Sequence, residues 1–268
     1  MDADAYAALL ADLAAESQSV DGLLAGLDPA GWDRPTPAAG WAIRDQASHL
    51  AYFDDTAVMA ATDPDRFRSE AAEVMASGTD FADVVAERLR AMPPADLLAW
   101  VRSARAGLLA AFAGLDPRAR MPWYGPDMSV ASSATARLME TWAHGQDIAD
   151  ALGTAREPTG RLRHIAHLGV STRGFAFALR RRAVPGTPVR VELAAPGGGT
   201  WAWGPDGADD RVTGPAVDFC LVVTQRRNLA DTALTVTGPA AAEWIAIAQA
   251  FAGLPTDGRP PAEAGSTP

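Results

Sequence analysis

The sequence predicts an α+β fold that is mainly α, with a helical bundle over residues 1–155 and a small α+β unit over 156–255. Apolar residues recur at helical spacing in long stretches before Gly153, loops of modest length separate those stretches, and a strand-like alternation enters only at Val189. Long helices joined this way pack as antiparallel neighbours, the up-and-down arrangement of a four-helix bundle.

Tyr6, Leu9, Leu10 and Leu13, then Val20, Leu23, Leu24 and Leu27, mark one face of a helix over 3–27. Pro29, Pro35 and Pro37 break the chain into a loop from Asp28 to Gly40. A second helix is expected over 43–61, with Ile43, Ala47, Leu50 and Ala51 on one side, stopping before Asp63 and Pro64. Further helices are expected over 79–91, capped by Thr79, and over 93–114, where Pro93 and Pro94 suit a first turn. Asp116 to Met128 reads as a loop rich in Pro and Gly. A helix then runs from Ser129 to Leu152 and stops at Gly153, a residue free to adopt a left-handed cap.

Residues 158–182 read as a connecting helix ending in Arg180, Arg181 and Arg182, where cations suit the helix dipole. Val189 to Ala195 alternates like a strand, Gly197 to Gly199 is a turn, and Thr200 to Trp203 is its hairpin partner. A helix over 215–225, a strand over 232–237 and a helix over 239–252 complete the unit. Residues 256–268, rich in Pro, Gly and Ala, are expected to be disordered.

With 23 basic and 33 acidic residues the net charge is −10. That balance argues against a nucleic-acid binder, which needs a basic face to displace counterions from phosphates. The one cysteine, Cys220, excludes an internal disulfide and any cysteine-rich metal cluster, and within Val217 to Val223 it reads as a small buried hydrophobe. No uninterrupted apolar run approaches the ~20 residues of a membrane span. Met1 to Asp4 carries no basic leader region, so a cytoplasmic location is expected.

The four histidines are the most informative residues. Glu140 and His144 are four apart and project from one helix face, one turn above the other. Spacing alone also allows a solvent-facing pair worth ~0.2–0.5 kcal/mol. Here Leu138, Ala143 and Ile148 flank the pair, and Ala47, Leu50, Ala51 and Phe53 surround His49 in mid-helix. Ionisable groups turned toward a core need a partner, and a cation is one. Two imidazoles and a carboxylate on facing helices can hold one divalent ion and leave positions for water or substrate, as catalytic sites do. His49, Glu140 and His144 are therefore the candidate ligands, with zinc the best match and nickel, iron or cobalt compatible.

Asp147, three residues after His144, is a candidate to orient the imidazole or to serve as an alternative ligand, though a surface carboxylate fits the spacing equally well. Arg226 follows an apolar helix and is a candidate to hold a substrate carboxylate in a two-pronged grip. Trp41, Trp123, Tyr124 and Trp142 are candidate pocket walls. His164 and His167, beside Arg161 and Arg163, read as a solvated basic face.

The segment Pro35 to Leu50, PTPAAGWAIRDQASHL, resembles the PTPCPGWTVRDLVAHL signature of the mycothiol-dependent maleylpyruvate isomerase family. Arg137 to Gly153, RLMETWAHGQDIADALG, resembles that family's second signature, and Thr213 to Arg226 with Leu234 to Gly238 resembles its small C-terminal domain. Residues 62–130 diverge, and Gln225 stands where the family commonly has glycine before the arginine. The resemblance extends to an actinobacterial branch of metal-binding proteins. It implies a DinB-like four-helix bundle with metal on His49, Glu140 and His144, followed by a small sterol-carrier-like α+β domain. It also implies mycothiol, a low-molecular-weight thiol, as cosubstrate of a metal-dependent S-transferase or isomerase acting on a small electrophile. The alternatives are a metal-dependent hydrolase using a metal-bound hydroxide and a non-catalytic metal- or ligand-binding protein.

Overall fold

The computed structural model describes residues 1–76 and 81–262, and the fold is α+β and mainly α as the sequence predicts. Two compact units divide the chain at Ala155.

The first unit contains α1 (Ala3–Ala25), α2 (Ile43–Thr62), α3 (Pro64–Ala76), α4 (Phe81–Leu89), α5 (Pro94–Ala113) and α6 (Val130–Leu152). α1 and α2 each pack against both α5 and α6, so these four helices alternate around one core. Local chemistry sets their ends. The Asp2 carboxylate accepts from the Ala5 N–H at 2.8 Å and starts α1. Ser129 Oγ accepts from the Ser132 N–H at 3.0 Å and starts α6, and Gly153 ends it at φ 65°, the left-handed cap. Along α6 the buried residues Leu138, Ala143 and Ile148 face inward beside His144.

α3 has no counterpart in the sequence pattern, because only Phe67 and Ala71 bury there and two apolar residues make a sparse stripe. The helix expected over 79–91 is α4, and the Thr79 cap lies outside the described residues. Between α5 and α6, the segment that reads as loop forms a short antiparallel pair, β1 (Arg120–Met121) with β2 (Met128–Ser129).

The second unit contains α7 (Leu162–Ser171), α8 (Arg173–Leu179), β3 (Val189–Ala194), β4 (Thr200–Trp203), β5 (Asp210–Pro215), α9 (Ala216–Val223), β6 (Thr235–Thr237) and α10 (Pro239–Ile245). Its sheet has the order β4-β3-β5-β6: β3 and β4 form the expected hairpin, β5 runs parallel to β3, and β6 is antiparallel to β5. β5 escapes the sequence pattern because Asp210, Arg211 and Thr213 outnumber the inward-facing Val212. The connecting helix divides at Thr172, whose hydroxyl donates to the Leu168 carbonyl at 2.9 Å while its backbone leaves the helical region. The last helix ends at Ile245, short of the expected 252, because the chain turns so that the Ala250 N–H donates to the Val223 carbonyl at 2.8 Å. Residues 256–262 carry no helix or strand, and the Thr256 and Arg259 carbonyls accept from Gln225 Nε2 (3.2 Å) and Asn228 Nδ2 (2.9 Å). The rest of the expected tail, 263–268, lies outside the described residues. Among the described residues no helix is long and apolar enough to cross a membrane.

Candidate metal centre

α2 and α6 pack side by side, which brings His49 against Glu140 and His144 across 91 residues of sequence or more. The Glu140 Oε2 atom lies 3.1 Å from Nε2 of His144 and 3.8 Å from Nε2 of His49. One ligand atom from each of the three residues lies within 4.8 Å of the other two. Ligands about 2.0–2.2 Å from a tetrahedral ion stand roughly 3.3–3.5 Å from one another, a spacing these distances bracket. The side chains are 13 %, 20 % and 9 % exposed for His49, Glu140 and His144, so the cluster is sheltered but reachable.

Electrostatics favours the ligating protonation states. Burial, reinforced by the neighbouring His144, lowers His49 from 6.5 to about 3 and keeps it neutral. Burial pushes the Glu140 carboxyl up, but the neighbouring His144 and His49 rings outweigh it and hold the group well below 4.5. Neutral imidazole and ionised carboxylate are the forms that bind a divalent ion without first losing a proton. The residues present therefore fit such an ion.

The surroundings differ for the two histidines. His144 Nδ1 lies 2.5 Å from Gln46 Oε1, whereas His49 Nδ1 is buried with no hydrogen-bond partner among the described residues. Rings hold His49 instead: Phe53 and Trp41 lie 4.5 Å and 5.4 Å from it, centroid to centroid. Trp41 also stacks on His144 at 6.0 Å, and its Nε1 donates to Asp83 Oδ1 at 2.6 Å. Trp123 and Tyr124 join through Phe53, at 6.3 Å and 6.1 Å. Trp142 is 6 % exposed, within the buried face of α6.

Behind the ligands runs a buried ionic network that sequence pattern does not disclose. Asp54 Oδ1 accepts from Arg137 Nε at 2.8 Å and Asp54 Oδ2 from Arg105 Nε at 2.5 Å. Arg137 Nη2 also donates to the Leu50 carbonyl (3.1 Å), and Arg105 Nη2 to Thr141 Oγ1 (2.8 Å). The network ties α2, α5 and α6 together within about a turn of the ligands. Its only sequence signal is charge on inward positions: Arg137 is three residues before Glu140, and Asp54 five after His49.

The other candidates fall as follows. Asp147 is 1 % exposed on α6, but both ring nitrogens of His144 face other groups, Gln46 and Glu140. Arg226 lies in the second unit just after α9, half-buried, with Nη1 donating to the Thr224 carbonyl at 2.7 Å. His164 and His167 lie on α7, where His167 Nδ1 accepts from Trp203 Nε1 at 3.3 Å.

Residues 13–149 match the family model described as the mycothiol maleylpyruvate isomerase N-terminal domain, and residues 185–237 match one described as wyosine base formation. Two relatives, uncharacterized proteins from two strains of Mycobacterium tuberculosis, are each 48 % identical over 250 residues, covering 93 % of this chain and 97 % of theirs. Two crystal structures of the mycothiol-dependent maleylpyruvate isomerase, one of them a mutant, share the fold. Their TM-scores are 0.56 and 0.57 at 15 % identity, over 86 % of this chain and 92 % of theirs. The first match spans most of the bundle and includes His49, Glu140 and His144, and on it the chain belongs to the mycothiol maleylpyruvate isomerase N-terminal domain family.

Proposed function

We propose that the protein is a metal-dependent enzyme that uses mycothiol to isomerise or conjugate a small electrophile. The observation that carries this is the convergence of His49, Glu140 and His144 within the domain that defines the family. A divalent ion held there, zinc by the donor set, would supply Lewis acidity that favours a thiolate over a thiol.

The chain's own residues do the rest. His49 and Glu140 offer a lone pair and a negative charge on adjacent helices. Trp41 and Phe53 cover the imidazole faces and keep water from them. The Asp54, Arg105 and Arg137 network holds the helices in register. Arg226 is the proposed grip for a substrate carboxylate, and Asp147 a proposed support for the ligand-bearing face of α6. The chemistry this suits is addition of a thiolate to an activated carbon–carbon double bond. Rotation about the former double bond and expulsion of the thiolate give the cis–trans isomer and release the thiol unchanged; protonation of the carbanion instead gives the conjugate.

The test is metal content by plasma mass spectrometry, followed by turnover of activated alkenes and epoxides with and without mycothiol. About one equivalent of metal is expected in the parent, little in His49→Ala or Glu140→Ala, and turnover only with thiol present. Turnover without thiol would assign hydrolysis instead. A parent that takes up no metal even after reconstitution would overturn the reading and leave a ligand-binding module.

A further inference from the structure

Gln46 is fully buried on α2, three residues before His49, and its amide touches His144 rather than its own helix neighbour. Resting on the metal reading above, we infer that Gln46 is a positioning residue that selects which ring nitrogen of His144 faces the metal. Thr36 and the Trp41 carbonyl lock the amide in the orientation this requires.

The chain of donors starts at the Trp41 carbonyl, which can only accept. It takes the Thr36 N–H at 2.8 Å and the Thr36 hydroxyl at 2.9 Å. A hydroxyl has one proton, so Thr36 Oγ1 can only accept from the group on its other side. That group is Gln46 Nε2, at 2.9 Å. The amide oxygen is thereby turned to His144 Nδ1, 2.5 Å away, and an amide oxygen cannot donate. Nδ1 must carry the proton. In the neutral ring the lone pair then sits on Nε2, the nitrogen 3.1 Å from Glu140 Oε2. A lone pair and a carboxylate facing each other at this distance can share a divalent ion.

Flipping the amide would reverse all of this. The Thr36 hydroxyl would turn to Gln46 and give up its bond to Trp41, Gln46 would donate to Nδ1, and the proton would move to Nε2, closing that nitrogen to a metal. The Thr36–Trp41 bond is what opposes the flip. His49 has no such device, since its Nδ1 is unpartnered among the described residues and its ring is held by packing.

The experiment has two readouts, imidazole nitrogen NMR on metal-free protein labelled with ¹⁵N-histidine, and zinc affinity by chelator competition. In the parent, Nδ1 of His144 is expected to give the signal of a protonated nitrogen. Gln46→Leu should weaken zinc binding roughly 10–100-fold with the circular dichroism unchanged. Gln46→Glu, whose carboxylate also accepts from Nδ1, should restore most of the affinity. Thr36→Val should weaken binding by a smaller factor and move part of the His144 signal to the other tautomer. An unprotonated Nδ1 in the parent, or a folded Gln46→Leu protein that binds zinc as tightly as the parent, would overturn the inference. A parent that binds no zinc yet has Nδ1 protonated would overturn the metal reading alone and support the lock.

Discussion

The imidazole rings of His49 and His144 meet with centroids 4.2 Å apart and planes tilted by 42°. They come from helices that are remote in sequence, and a proton on one ring disfavours a proton on the other. That contact, and the packing that enforces it, give the protein measurable properties.

The first is acid lability of the metal-free protein. In the unfolded chain His49 takes up a proton as the pH falls below 6.5, whereas in the folded chain burial and His144 delay this to about 3. Stability is therefore intact above 6.5 and is lost as the pH falls toward 3. Glu140 acts in the same direction, because its lowered pKa stabilises the fold above 4.5 and that contribution disappears in stronger acid. One pKa unit corresponds to about 1.36 kcal/mol, so the His49 effect is on the order of a few kcal/mol. Urea midpoints across this range should fall in the parent and fall less in His49→Gln. Equal slopes would contradict the assignment.

The second concerns Asp54, which faces two buried guanidinium groups. Burial lowers the pKa of Arg105, with the Asp54 charge opposing that shift. Asp54→Asn should destabilise the protein by about 3–5 kcal/mol, because it leaves buried cations uncompensated. Arg137→Met should cost less, since Asp54 retains Arg105. Chemical denaturation of both variants checks the order, and the reverse order would refute it.

The third concerns the chain's own thiol. Cys220 is fully buried, its Sγ is 3.5 Å from the Leu162 carbonyl, and burial pushes its pKa far above 9.0. An aromatic disulfide reagent should modify it only after unfolding. Thiol-dependent turnover should survive in Cys220→Ala, and its loss in a folded variant would mean that the protein supplies its own nucleophile.

The fourth tests packing in the second unit. A Cβ on Gly169 of α7 would lie 2.8 Å from Val223 Cγ2 and 3.1 Å from Phe219 Cε1. Gly169→Ala should be destabilising, with overpacking of ~1–3 kcal/mol exceeding the ~1 kcal/mol that alanine gains in a helix. The same change should lose less in a Val223→Ala background. Equal melting shifts in both backgrounds would rule out the contact.

Much of this protein is legible from local pattern alone. The 3.6-residue periodicity marks α1, α2, α5 and α6, Gly153 announces the end of α6, and the four-residue spacing of Glu140 and His144 puts both on one helix face. Each of these is decided within a turn or two of chain. Where the apolar signal is thin, as in α3 and β5, the sequence is silent, because those elements are stabilised by neighbours rather than by their own pattern.

What the sequence alone does not decide depends on contacts between distant segments. Side-chain type nominates His49 as a third ligand, but its distance to Glu140 is set by how α2 packs on α6. Nothing in the spacing of Thr36, Gln46 and His144 shows that their polar atoms form a chain, nor that Gln46 rather than Asp147 faces His144 Nδ1. Which residues can bind a metal is a matter of side-chain type and local spacing. Which nitrogen is offered is a matter of hydrogen bonds between segments up to 98 residues apart, and only the folded core brings those donors and acceptors into range.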